Sequence, residues 1–487
     1  MYFDDLQKVR LEKLSHLKEV FGDVFPARAV RSHAIKEVVK DFSKFTKKKS
    51  PINIVGRILR IRSHGDSTFF DIEESWSVIQ CYIKKDVVKE KMYDLFQDNI
   101  DAGDFVEISG KAFLTKKKEK TIKVISWKPL AKSLRPLPEK WHGLQDVEDR
   151  FRKRYLDLLM NEEVRNRFLM RTEIISAIRT FLNKEDFKEV ETSMLHPVAG
   201  GALAKPFVTR HNALDMDLYL RIAPELYLKR LLIGGFERIY EIGKSFRNEG
   251  IDAKHNPEFT TVEWYAAYWD EENMMECVER FMRFILKSLK LKNKISFDEK
   301  TITFGKKFSR VEFKEILKRH AFILDYNKET RESIALKAKR FGIKTETFES
   351  KAKIADEIFK KVCRPHIIQP TFITKLPLEI SPLAKKDENN PDEAKRFQMI
   401  VGGLELVNAF SELNDPIDQR ERFKISQQAR KEGESEAHMF DQDFIEALEY
   451  GMPPTAGIGI GIDRLVMLLT DTKNIREVIL FPTLRLK

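Results

Sequence analysis

Cysteine is scarce in this chain. Cys81, Cys277 and Cys363 are the three in 487 residues, and none of their spacings suits a metal site. A reduced, cytoplasmic setting is the simplest expectation. Long apolar runs are lacking too. The best candidate is interrupted by Asp463-Arg464 and falls short of membrane-spanning length, so no membrane partner is expected. Met1 to Val20 mixes acids and bases without an apolar block and does not read as a signal peptide. The ten histidines are scattered, with no His-Glu-x-x-His pattern. No internal repeat or low-complexity tract occurs.

A chain this long exceeds what one core holds and points to two or three domains. Its 42% hydrophobic and 33% charged residues fit a soluble globular protein. The charge is uneven. Residues 1–140 carry 29 Lys+Arg against 20 Asp+Glu, a net of +9 out of +11 for the whole chain. That imbalance suggests an anion-binding module joined to a nearly neutral enzyme; a solvated basic surface without a partner is the alternative.

The periodicity divides the chain. Residues 2–48 have helical spacing at Leu6, Val9, Leu14, Leu17 and Phe21. The lysine-rich run Lys36 to Lys49 reads as a mobile, RNA-touching or solubilising arm. Five short strands follow: Asn53 to Arg62, Thr68 to Glu73, Val78 to Ile83, Phe105 to Leu114 and Thr121 to Trp127. A helix, Lys84 to Ile100, separates the third from the fourth. This is the pattern of the five-stranded OB barrel, which binds single-stranded nucleic acid on one face. Phe69, beside Arg62 and Gln80, is either a stacking platform with base-edge partners or a core residue. Residues 131–142, with two prolines, read as a linker. Beyond Gln145, Asp146 to Arg179 is helical, and Leu231 to Phe246 reads as strand-rich. Strands at Tyr219 to Ile222, Arg238 to Gly243, Phe259 to Tyr265, Leu404 to Phe410 and Gly457 to Gly461 do not alternate evenly with helices. A mostly antiparallel sheet is expected. Ala384 to Lys395 is polar and reads as a mobile loop. The expected boundaries are 1–50 for the basic helical segment, 51–135 for the barrel and 136–487 for the catalytic domain.

Two segments carry the chemistry. Phe246-Arg247-Asn248-Glu249 with His255-Asn256-Pro257-Glu258-Phe259 is the first. Gly457-Ile458-Gly459-Ile460-Gly461-Ile462-Asp463-Arg464 is the second. Alternating glycine suits a strand whose bare face lets a flat ligand approach the backbone. The run lacks Gly-Lys-Ser/Thr and is no Walker loop. Two arginines, an aromatic ring and acids are the parts that hold a nucleoside triphosphate. Together, in this order, the segments resemble motifs 2 and 3 of the class II aminoacyl-tRNA synthetases. On that resemblance Arg247 meets the α-phosphate of ATP and Arg464 the γ-phosphate, and these two are the expected catalytic residues. Phe259 and Arg464 sandwich the adenine, Glu249 accepts from its amino group, and His255 touches the outer phosphates. Asn248, Asn256, Gly461, Ile462 and Asp463 complete the expected nucleotide contacts.

Further motifs narrow the resemblance: Gly200-Gly201-Ala202, Arg221 to Lys229, Glu263-Trp264-Tyr265, and Asn408 to Pro416. They are similar to the class II lysyl-tRNA synthetases of bacterial type, from about Gly56 to Pro482. The implied fold is α+β, a class II antiparallel sheet with flanking helices plus an N-terminal OB β-barrel. The implied partners are lysine, ATP, lysine tRNA and a second copy of the chain. By resemblance, Gly201 and Glu225 meet the α-amino group of lysine, Glu263, Tyr265 and Glu412 its ε-ammonium, and Asn408 its carboxylate. A buried ammonium needs acids, because an unpaired buried charge is prohibitive. Arg62, Phe69 and Gln80 match the anticodon pattern. Mg²⁺ is the implied cofactor, with Glu405 as ligand and Gln398 where the family has a second glutamate. An amide keeps an oxygen but loses the charge, so fewer or weaker metals are expected. Two other positions depart from the family: Ser193 replaces a proline after Val190-Glu191-Thr192, which implies a looser dimer interface, and Ser126 replaces a glutamate of the barrel. Two rival readings are an enzyme placing lysine on a protein, whose relatives lack a barrel, and a non-catalytic RNA-binding paralogue. The intact Arg247, Glu249, Phe259, Glu405 and Arg464 count against the second.

Overall fold

A computed structural model describes residues 4–48, 50–138, 146–434 and 436–485. The chain forms two compact units, residues 1–144 and 145–487. Part of the expected linker, residues 139–142, lies outside the described residues, as do Lys49 and Gln145.

The first unit opens with a helix, Asp5–Phe21, capped by Asp4, whose carboxylate accepts from the amide of Gln7. Gly22, at φ +72°, ends it. Two short helices, Ile35–Lys40 and Phe42–Lys47, follow. The lysine-rich run is therefore docked rather than loose: Val38, Phe42 and Phe45 bury in the same core as Leu14 and Leu17. Five strands come next: β1 (Ile52–His64), β2 (Ser67–Glu74), β3 (Ser77–Lys84), β4 (Phe105–Leu114) and β5 (Lys120–Ala131). They close into a barrel in the order β1-β2-β3-β5-β4. Alternate residues point inward. Ile54, Phe70, Ile72, Cys81, Ile108 and Ile122 fill the interior, and their neighbours face out. The helix expected between the third and fourth strands is present as Lys85–Val88 and Glu90–Asn99.

The second unit begins with three helices, Val147–Arg152, Arg154–Met160 and Glu162–Lys184, where one long helical stretch is expected. Short strands β6 (Lys188–Glu189), β7 (Leu195–His196), β8 (Val208–His211) and β9 (Met216–Leu220) lead to a helix, Glu225–Ile233. The strand-rich reading of Leu231 onward is corrected here. Leu226, Leu228 and Leu232 bury at helical spacing, and the strand starts only at Arg238. The remaining strands are β10 (Arg238–Phe246), β11 (Glu258–Ala267), β12 (Lys294–Phe297), β13 (Lys300–Thr303), β14 (Ser309–Glu312), β15 (Thr371–Thr374), β16 (Arg396–Val401), β17 (Leu404–Ser411) and β18 (Thr455–Gly461).

Eight of them form one sheet in the order β14-β15-β16-β17-β18-β11-β10-β6. The six central strands pair antiparallel, and only β14 and β6, at the edges, pair parallel. One face packs Val262, Trp264, Phe397, Met399, Val407, Ile458 and Ile460 against the helices Glu162–Lys184, Glu271–Ser288 and Ile462–Leu469. The period of two then sends Glu263, Tyr265, Gln398, Asn408 and the glycines of β18 to the opposite face. The Ala384 to Lys395 loop is held rather than free. It forms bridges to Glu412 and within itself, and Ala384 and Ala394 are buried.

Candidate active site

The glycines of β18 shape the floor of the site. Gly457, Gly459 and Gly461 stand opposite Tyr265, Glu263 and Thr261 of β11. A side chain at Gly457 would overlap the Tyr265 ring and Oε1 of Glu412. At Gly459 an added methyl would meet the Glu263 side chain only at 3.7 Å. The bare strand thus lets two functional side chains lie flat on the sheet.

Five ionisable groups converge above that floor. Lys229 is fully buried in the helix Glu225–Ile233, and its Nζ lies 2.7 Å from Oε1 of Glu225. The same ammonium pairs with Oε2 of Glu412. The Tyr265 hydroxyl donates to Oε2 of Glu263 at 3.0 Å. Burial, then the charge of Glu225, raises the Glu263 carboxyl to about 8 against the hydrogen bond from Tyr265. Burial pushes Glu412 well upward as well, with Lys229 opposing it. Burial would lower the Lys229 ammonium, but Glu225 and Glu412 outweigh it and raise it. Oε1 of Glu412 is buried without a hydrogen-bond donor. A buried carboxylate set of this kind is a receptor for a cation.

Gly201, at φ +88°, brings its backbone against the start of the same helix. An added Cβ there would sit 3.1 Å from the Cβ atoms of Ala223 and Glu225. Asn408 pairs with Gly459 and Gln398 on the neighbouring strands. Its Oδ1 accepts from Nε of Arg396 at 2.9 Å, which turns the amide N–H groups away from Arg396. Gly201, Glu225, Glu263, Tyr265, Asn408 and Glu412 come from four separate stretches of chain, with Glu225, Glu263 and Glu412 in mutual electrostatic reach.

The second cluster holds Arg247, Phe259, His255 and Arg464. The Arg247 guanidinium lies 5.1 Å from the centre of the Phe259 ring, and its Nε is buried without a partner. Arg464 is the one residue of the helix Ile462–Leu469 that is not buried. Its Nη1 donates to the backbone carbonyl of Glu405 at 3.1 Å, and Nη2 lies 3.0 Å from Nε2 of His255. Asn248 and Glu249 are exposed beyond the end of β10, whereas Asn256 is buried and donates to the carbonyl of Glu258 at 2.7 Å. Asp463 and Ile462 support the site from inside. Asp463 accepts from Arg171 at 2.6 Å and from the amide of Thr260 at 2.7 Å, so both carboxylate oxygens are taken, and Ile462 is in the core.

The expected metal ligands, Gln398 and Glu405, fit a divalent cation poorly. Gln398 is buried with its Oε1 unpartnered, but it faces Asn408, whereas Glu405 pairs with Ile400 across a bulge in the same hairpin. Burial would raise the Glu405 carboxyl; Arg464, then Arg364, Lys360 and Arg396, outweigh it and hold it below the ordinary carboxylate range. Among the described residues no three His, Cys, Asp or Glu side chains converge to hold a metal ion. A hard cation wants several anionic oxygens, and this corner offers one carboxylate among guanidinium groups.

On the barrel, Phe69 is half-buried on the outer face while Phe70 fills the core. Arg62, Phe69, Tyr82 and Lys123 stand side by side on four adjacent strands positions, with the rings of Phe69 and Tyr82 4.7 Å apart. Gln80 accepts from Thr121 at 2.9 Å, and Arg62 reaches Asp71 at 3.3 Å.

Sequence reasoning names most of these residues but misses Lys229, Asp252, Arg171 and Arg364. The i, i+4 spacing of Glu225 and Lys229 was a readable signal. Asp252 lies three residues from His255, within one loop, whereas Arg171 and Arg364 depend on contacts across many residues, which no local pattern reveals.

Known proteins resemble this chain along nearly its whole length. Residues 146–485 match the family described as tRNA synthetases class II (D, K and N). Residues 52–130 match the OB-fold nucleic acid binding domain. Proteins named lysine–tRNA ligase from Carboxydothermus hydrogenoformans and Moorella thermoacetica are each 47% identical to this chain, over 99% of it and 98% of their own length. One of the same name from Clostridium tetani is 46% identical over 99% of this chain and 96% of its own.

Proposed function

We infer the reaction from kinship and site together: the chain belongs to the class II tRNA synthetases of the D, K and N group. It is an ATP-dependent ligase that joins lysine to tRNA. The residue roles are our proposal. The observation that carries them is the set of three buried carboxylates, Glu225, Glu263 and Glu412, with one lysine ammonium shared between two of them. Glu263 keeps only a neutral hydroxyl partner, Tyr265. The two ammonium groups of the substrate, ε and α, complete the charge balance.

In this reading the substrate ε-ammonium lies among Glu263, Tyr265 and Glu412. Its α-amino group meets Glu225 and the backbone of Gly201, and its carboxylate meets the amide of Asn408. The carboxylate oxygen attacks the α-phosphorus of ATP in line. The bond to the bridging oxygen breaks, and pyrophosphate leaves with that electron pair. Arg247 stabilises the charge on the α-phosphate, and Arg464, held by Glu405 and His255, takes the outer phosphates. The terminal ribose hydroxyl of tRNA then attacks the adenylate carbonyl and AMP leaves. Positioning and charge stabilisation suffice for both steps, and the assignment uses no side chain as obligatory base. Any Mg²⁺ enters as part of the nucleotide substrate. The outer face of the barrel, at Arg62, Phe69 and Gln80, takes the anticodon.

Two coarser expectations belong to the same proposal. A homodimer is supported by exposed apolar side chains beside Ser193, namely Met194, Leu195 and Val208. A cytoplasmic location is supported by three separate, buried free thiols. No described helix is long and apolar enough to cross a membrane. ATP–pyrophosphate exchange with each amino acid in turn tests the substrate assignment. Lysine drives exchange, and arginine and ornithine do so poorly. Equal exchange with aspartate or asparagine would overturn it.

A further inference from the structure

The corner around Glu405, where a divalent cation fits poorly, is rich in positive charge. Arg364 and Arg464 are tied to the same residue, Glu405. Nη1 of Arg364 lies 3.4 Å from its carboxylate, and Nη1 of Arg464 lies 3.1 Å from its backbone carbonyl. The Arg364 contact is at the long limit of a charged hydrogen bond, so most of its donor fork is uncommitted. Its place is fixed by backbone. The π turn Phe359–Cys363 and the 3₁₀ turn Arg364–His366 bring it to the hairpin between β16 and β17. There the amides of Gly402 and Gly403 donate to the carbonyls of Ile368 and Ile367 at 2.9 and 3.0 Å. Lys254 feels the same field. Burial, then Arg364 and Arg464, lower its ammonium below the ordinary value. Asp252 and Asp298 offset this repulsion only in part at Lys254, and a further anion would relieve it.

Resting on the assignment of Arg247 and Arg464 to ATP, we propose that Arg364 binds the outer phosphates of the nucleotide. It supplies from a side chain the charge that a carboxylate-held metal would bring. A forked guanidinium meets phosphate oxygens in pairs, and a partly buried position lessens the screening of that attraction. The plain alternative is a structural ion pair of Arg364 with Glu405.

The test is calorimetric binding of inorganic tripolyphosphate to the full chain in EDTA, at fixed low salt. The parent is expected to bind without any divalent cation. Arg364→Gln should weaken that binding by roughly tenfold to a hundredfold, the usual size of one charged hydrogen bond, while free lysine binds as before. Equal affinity of parent and variant, or no binding by the parent in EDTA, overturns the proposal. Should Arg364→Gln also lose lysine binding, Arg364→Lys decides: weaker tripolyphosphate with lysine binding retained supports the role, and unchanged tripolyphosphate overturns it. Arg464→Ala separates this inference from the reading beneath it. If Arg464→Ala abolishes tripolyphosphate binding and Arg364→Gln does not, only the role of Arg364 falls. If neither matters, the nucleotide site itself is misplaced.

Discussion

Nε2 of His255 lies 3.0 Å from Nη2 of Arg464, and Nδ1 of the same ring lies 2.9 Å from both carboxylate oxygens of Asp252. A guanidinium only donates, so Nε2 must accept and Nδ1 must carry the proton, which it gives to Asp252. Asp252 is itself held by the amides of Lys254 and His255, at 2.6 and 2.8 Å. The loop between β10 and β11 thereby aims the arginine of a distant helix.

His255→Ala should therefore raise the KM for ATP more than it lowers kcat, since Arg464 stays charged but loses its aim. The ring is nearly half exposed, so the effect belongs at the lower end for a hydrogen bond to a charged group, about tenfold. Asp252→Asn should give a smaller effect in the same direction. Exchange kinetics with ATP varied at saturating lysine measure both; a KM for ATP that stays at the parent value in His255→Ala would detach His255 from the nucleotide.

Gly457 and Gly459 make a matched pair. Gly457→Ala drives a methyl into Tyr265 and Glu412, whereas Gly459→Ala meets nothing closer than 3.7 Å. Overpacking a buried site costs about 1–3 kcal/mol, and here the displaced atoms are those that grip lysine. Lysine-dependent exchange should collapse in Gly457→Ala and persist in Gly459→Ala, with both chains still folded by circular dichroism. Equal loss in the two variants would mean that the strand is sensitive as backbone and that the pocket was not the cause.

The barrel strands, the antiparallel sheet and the two arginine motifs were legible because each rests on a local pattern. Period two marks β1 to β5, and the glycine alternation of β18 marks a bare face. Only the last turn of the helix at Glu225 reads as strand, because Leu231 and Leu232 fit a strand or a helix equally well; burial of Leu226 and Leu228 beside them decides for the helix. Asp463 was placed against ATP because it neighbours Arg464 in sequence. On a helix, adjacent residues point about 100° apart, and that turn buries Asp463 under Arg171. Lys229 was quoted within a motif and given no role, since nothing local shows that Glu412 would reach it from β17's end.

Phe69 offers a test on the barrel. The ring is stacked near Tyr82 on the outer face, between Arg62 and Lys123, and a base laid on it would have cations on both sides. Phe69→Ala in the full chain should lose roughly 1–3 kcal/mol of binding to a lysine tRNA anticodon stem-loop, and binding by the parent should weaken as salt rises. Lysine activation by ATP should be unaffected. Stem-loop affinity unchanged by the substitution would remove Phe69 from the RNA-binding face.

Glu263 makes the lysine pocket sensitive to pH. Its carboxyl stands at about 8 in the folded chain against an ordinary value of 4.5, burial being the main cause and Glu225 the next. Between those two pH values the folded chain holds a proton that the unfolded chain has lost. This group therefore lowers stability steadily as pH rises from about 4.5 to about 8, and adds nothing further above that. Lysine reverses the balance, because an ammonium set beside Glu263 favours the ionised form and expels the proton. Binding at pH 7 should release about one proton per site, and affinity for lysine should climb with pH toward about 8 and then level. Calorimetry of lysine binding in phosphate and in Tris, whose ionisation heats differ widely, reads the proton directly. Identical heats in the two buffers would show that Glu263 is already ionised in the free protein, or that the substrate ammonium is bound elsewhere. Where the heats differ, Glu263→Gln identifies the source of the proton: it should erase the buffer dependence if Glu263 supplies it and leave it intact if Glu412, also raised by burial, supplies it instead.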